Sequence, residues 1–106
     1  MKVNKMIKIS NRRAAKIREL NQHWRSIKDD VPEIDRKTGF VLVNRKIDKV
    51  DGWIMDLVED IGALNAPWKV TAGTYAVDPC DKIYLAAGDA GGWATRWESV
   101  TPRSES

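Results

Sequence analysis

The only histidine, His23, and the only cysteine, Cys80, are the residue types a nucleophilic mechanism would need, a thiolate with a base in reach. Nothing around either residue supports such a dyad. His23 stands one turn after Glu19 beside an apolar helical stripe, where pairing with a carboxylate is the ordinary role, and Cys80 lies in the turn Asp78-Pro79-Cys80-Asp81. Asp29, Asp30, Glu33 and Asp35, with Lys37 nearby, have the composition of a metal-dependent nuclease site, carboxylates for Mg²⁺ and a lysine for developing charge. Such sites gather acids from separated strands. These four share one loop at a helix end, where solvated charge is the commoner role. The stretch Gly88-Asp89-Ala90-Gly91-Gly92 lacks the lysine, the spacing and the following helix of a phosphate loop or dinucleotide fingerprint. No catalytic residue, metal site or cofactor is therefore expected, and the chain reads as a binding protein, not an enzyme.

Two patterns carry binding chemistry. Arg12 and Lys16 flank the apolar stripe of the first helix on one side, Arg18 and Arg25 on the other, forming two rails that can meet phosphates of DNA or RNA. Basic side chains beside a core stripe also serve as the ordinary solvated covering of a helix. Since all four flank the stripe, reversing Arg18 and Arg25 to glutamate is expected to leave the core intact. The second pattern is tryptophan, five in 106 residues. In an extended strand Trp93 and Trp97 share a face, with Arg96 pointing the other way. If a helix covers that face both rings are core; if it does not, the two rings form a protein hot spot or a base-stacking platform, and Trp93, Trp97 and Arg96 are the candidate partner-binding residues.

These side chains need elements to position them. Residues 3–9 read as an edge strand, and Ser10 or Asn11 offers an N-cap to a helix running to about Lys28, with Ile17, Leu20, Trp24 and Ile27 at steps of three and four. Pro32 closes it. Residues 34–43 read as a hairpin around Gly39. A second helix is expected over 46–64, where Ile47, Val50, Trp53, Ile54, Leu57, Val58, Ile61 and Leu64 cover a wide arc, with Met55 on its wet side. After Pro67 come β-type segments at 68–77, 82–87 and 93–100. A faint echo of residues 11–17 in 44–50 suggests two strand-helix units. The expected fold is α+β, two helices on a mostly antiparallel sheet in the order β-α-β-β-α-β-β-β. Residues 1–100 form one domain and 101–106 a flexible tail.

At 42% hydrophobic and 31% charged, the chain belongs with folded globular proteins. The net charge of +3 hides a split, since residues 1–28 carry nine bases against Glu19 alone and the remainder nine bases against fourteen acids. The basic arm can face nucleic acid or the acidic body itself. No run suits a signal sequence or membrane span, and a lone cysteine agrees with a reducing compartment, so a cytoplasmic location and no membrane partner are expected. Helix-turn-helix, RNA-recognition, ribbon-helix-helix and zinc spacings are all missing. In general look, short and tryptophan-rich with charge-polarised helices, the chain is similar to accessory proteins of phages and other mobile elements. The expected function is non-enzymatic: docking on a host protein or nucleoprotein to modulate or inhibit it. The alternative is a small nucleic-acid-binding regulator using the basic helix.

Overall fold

Ser10 ends the first strand and starts the first helix. Its hydroxyl accepts the Arg13 backbone N–H at 3.1 Å and its carbonyl accepts that of Ala14 at 3.0 Å, the N-cap expected of serine at this position. The computed structural model describes residues 6–27, 29–55, 57 and 70–104. Strand β1 (Met6–Ile9) and helix α1 (Asn11–Ile27) agree with the sequence reading over the described residues. Ala14, Ile17, Asn21 and Trp24 are the buried positions of α1, and Leu20 packs against them half-buried. Ile27, at the end of the expected stripe, is 53% exposed.

Residues 34–43 do not form a hairpin. Glu33–Thr38 is a short helix, α2, leading into β2 (Phe40–Val43). Pro32 stands just before the first residue of α2, where a fixed φ and a missing N–H suit a helix start, and its carbonyl accepts the Arg36 N–H at 3.1 Å. Lys37 reaches Glu33 one turn back at 2.7 Å, which holds the Glu33 carboxyl below its ordinary pKa.

The expected second helix is corrected over residues 50–54, which form strand β3 (Val50–Ile54), antiparallel to β2. Residues 44–49 form the turn between them, with Asn44 and Asp48 hydrogen-bonded to each other and Ile47 at φ 54°. The echo of 11–17 in 44–50 is therefore no repeat of a strand-helix unit. Positions 58–64 of that expectation lie outside the described residues. Leu57 packs half-buried against the sheet.

Strands β4 (Tyr75–Val77), β5 (Ile83–Ala87) and β6 (Arg96–Pro102) complete, among the described residues, a six-stranded mixed sheet in the order β1-β6-β5-β4-β2-β3. In that sheet β1 and β6 pair in parallel and the other neighbours antiparallel. With α1 and α2 the class is α+β, as expected. Period-two alternation divides the core: Val41, Val43, Tyr75, Val77, Ile83 and Val100 face α1, while Leu42, Ala76, Tyr84, Ala86 and Trp97 belong to a second cluster on the other face. Strand β6 ends later than expected. Pro102 is buried, Arg103 N–H donates to the Ile9 carbonyl at 2.9 Å, and Ser104 N–H to Asn11 Oδ1 at 3.0 Å, so the polar stretch after Val100 is paired to the start of the chain at least to Ser104.

Candidate functional site

The two basic rails meet different fates. Arg25 is half-buried and donates from Nε to Asn21 Oδ1 at 2.8 Å, from Nη1 to the Arg36 carbonyl at 2.7 Å, and from Nη2 to the carbonyls of Gly39 at 2.6 Å and Val77 at 3.0 Å. Burial lowers its pKa, and the charges of Asp78 and Asp81 oppose that shift. Arg18 Nε donates to the Asp81 carbonyl at 3.1 Å. Buried Asn21 completes this hub with bonds to the Asp78 carbonyl and Asp81 Oδ1 at 3.0 and 2.9 Å. Arg18 and Asn21 thus fasten α1 to the acidic turn before β5, while Arg25 ties the helix to α2, to Gly39 and to the end of β4. Arg12 and Lys16 remain exposed, with Lys16 at 3.8 Å from the exposed carboxylate of Glu19.

A different basic surface is built around them. Arg13, in the first turn of α1, donates from Nε to the Tyr75 hydroxyl at 2.9 Å and from Nη2 to the Arg45 carbonyl at 2.6 Å, with its guanidinium 5.4 Å from the Tyr75 ring centroid. This joins the helix start to the 44–49 turn, which carries Arg45, Lys46 and Lys49, all exposed. The turn forms an open recess lined by Asn44, Arg45, Lys46, Asp48 and Lys49. A groove of about 420 Å³ adjoins it, with Arg13 and Arg45 on its walls and Tyr75, Leu85, Gly73 and Gly88 among its lining. Sequence reasoning missed Arg13 and the turn lysines, because only the fold brings residues 12–16 and 45–49 to one end.

The tryptophan pair is divided. Trp97 is 2% exposed and sits in the second core cluster, while Trp93 is 40% exposed and precedes β6 in a short loop bridged to Thr71 and Ala90. The two rings therefore form no joint platform. Arg96 donates from Nε and Nη2 to Oε1 of Glu98, both at 2.9 Å, so its guanidinium partners a carboxylate that is itself 3% exposed.

His23 and Cys80 are both exposed, the latter with its backbone N–H bonded to Asp78 Oδ1 at 2.8 Å. Asp29 and Asp30 are exposed and Glu33 is paired with Lys37. Among the described residues no group of three or more potential metal ligands gathers. Residues 88–92 form a turn closed by Gly92 N–H to Asp89 Oδ1 at 2.9 Å and lead into β6, not a helix. No helix among the described residues is long and apolar enough to cross a membrane. Comparison with known proteins gives no matching family model, no similar curated protein and no similar solved structure.

Proposed function

We propose that the protein is a non-enzymatic binding protein that docks on a nucleic acid or nucleoprotein through its basic end and modulates or blocks what is bound there by occupying it. The observation that carries this reading is the convergence of Arg12, Arg13 and Lys16 of α1 with Arg45, Lys46 and Lys49 of the β2–β3 turn, joined by the Arg13 to Arg45 hydrogen bond. Against these six cations stand the carboxylates of Glu19 and Asp48 in the same two segments, so the end presents net positive charge. Cations spread over a helix start and an exposed turn suit a phosphate backbone, whose neutralisation releases counterions and makes affinity fall with salt.

Salt-titrated fluorescence anisotropy with DNA and RNA oligonucleotides tests the reading. Wild type is expected to bind with a clear negative salt slope. Changing Arg12, Lys16, Lys46 and Lys49 together to glutamate should weaken binding by about a hundredfold or more at moderate salt and flatten the slope by roughly 0.7 to 0.9 for each phosphate that is no longer neutralised. Each of these residues is exposed, so the variant should fold normally.

A second reading, docking on a host protein, is favoured by the 40% exposure of Trp93. It would replace the first if wild type bound nucleic acid weakly and Trp93→Ala impaired capture of a cellular partner more than the charge reversals did. In either case the double variant His23→Gln, Cys80→Ser is expected to retain the binding activity fully. A large loss in a still folded protein would overturn the non-enzymatic reading.

A further inference from the structure

We propose that the groove between the first turn of α1 and the ends of β4 and β5 is a site for one phosphate group, held by the guanidinium groups of Arg13 and Arg45. This deepens the reading of the basic end as a nucleic-acid surface and rests on it only for the source of the phosphate. Among the described residues the groove lining has two arginines and no acidic residue. Arg13 is fixed before any ligand arrives. Tyr75, its hydroxyl and the Arg45 carbonyl occupy the ring-facing side and two of the five N–H donors, leaving the rest of the fork for an oxyanion. A group held in this way loses little further rotamer freedom when it binds.

Arg45 is the complement. Its guanidinium has no hydrogen bond or ion pair among the described residues, and its stem lies across Gly73. A Cβ at residue 73 would stand 2.9 Å from Arg45 Cδ and 3.1 Å from Cγ, and Gly73 has φ +97°, so only glycine keeps both the backbone and the space. The fold therefore seats Arg45 over a strand end that lacks a side chain, on the same groove as a second, immobilised arginine. Two like charges without an intervening acid repel until an anion lies between them, and the planar forks match tetrahedral oxyanions. A groove of about 420 Å³ exceeds one phosphate and leaves room for an attached sugar.

The test is an NMR titration of the full chain with inorganic phosphate, read at the Arg13 and Arg45 Nε–H signals and the Gly73 amide. Saturable shifts are expected at all three. Arg45→Gln should weaken phosphate binding by about tenfold or more. Gly73→Ala should do the same while keeping Arg45, and Lys82→Gln, near Tyr84 on the other sheet face, should leave binding unchanged. Oligonucleotides with and without a 5′-phosphate separate the sources. If Arg45→Gln weakens only the phosphorylated strand, a terminal phosphate is bound, and if it weakens both equally, a backbone phosphodiester is. Absent phosphate shifts, or unchanged phosphate and oligonucleotide binding in Arg45→Gln, would overturn the site, even if salt-dependent oligonucleotide binding persisted and kept the broader reading. Saturable, Arg45-dependent phosphate binding in a protein that binds no oligonucleotide would support the site and remove the nucleic-acid reading.

Discussion

Arg25→Glu is expected to unfold the protein at 25 °C, and Arg25→Ala to cost roughly 3 to 5 kcal/mol, among the largest effects of any single polar substitution in the chain. The guanidinium joins four pieces of structure at once: Asn21 on α1, the Arg36 carbonyl in α2, the Gly39 carbonyl before β2 and the Val77 carbonyl at the end of β4. Truncation leaves these acceptors without their donor in a partly desolvated site, and hydrogen bonds from a charged donor are each worth about 1.5 to 3 kcal/mol. Glutamate adds a carboxylate facing carbonyl oxygens, close to Asp78 and Asp81, whose charges act on Arg25 in the native protein. Lysine restores the charge without the fork, so Arg25→Lys should fall between wild type and alanine. Urea denaturation followed by far-ultraviolet circular dichroism measures this, with Arg12→Glu as the exposed comparison, expected within about 0.5 kcal/mol of wild type. A native-like midpoint for Arg25→Glu would return Arg25 to the solvated covering of the helix, as the sequence suggests.

The reason that suggestion fails lies in what periodicity can register. Apolar spacing marks Ile17, Leu20 and Trp24 of α1 correctly, but Asn21, fully buried between them, has no apolar signature. Its partners lie in the turn at residues 78–81, and the partners of Arg25 lie on three other elements. Long-range polar satisfaction of this kind leaves no local pattern. The β2–β3 region fails for another cause. Val50, Trp53 and Ile54 fit a helical arc and a short strand alike, and pairing with β2 decides the outcome, with a register shift between Leu42 and Val43. By contrast, Phe40–Val43 and Ile83–Ala87 were legible as strands because β-branched, aromatic and apolar residues run between turn signals. Of the candidate site, Arg12 and Lys16 were visible as exposed helix cations. Arg13 stood out in no local pattern, and the seat of Arg45 on Gly73 needs β4 beside the β2–β3 turn, which no local spacing encodes.

The tryptophan pair shows how a small phase error separates two residues that the sequence places on one face, and Trp97→Ala carries the other large expected effect. Placing both rings on one face requires an extended strand from residue 93, yet the bridges of Trp93 to Thr71 and Ala90 hold it in a loop and β6 begins at Arg96. Trp97 pairs with Ala86 and packs in the cluster of Val70, Ala76, Ala86 and Ala94, three of them alanines whose small side chains leave the slot the indole fills. Removing the indole leaves a void in this cluster, and large-aromatic truncations of this kind cost about 3 to 5 kcal/mol. The indole Nε1 is buried and has no hydrogen-bond partner among the described residues, so Trp97→Phe deletes an unsatisfied donor along with some volume. The two changes oppose each other, and Trp97→Phe is expected within about 1.5 kcal/mol of wild type. Trp93→Ala, at a ring 40% exposed, should cost about 1 kcal/mol or less. The check is the same urea titration on all three variants. Equal, small losses for Trp97→Ala and Trp93→Ala would mean that the sheet face carrying Trp97 is open, and would restore the two tryptophans as a joint contact surface.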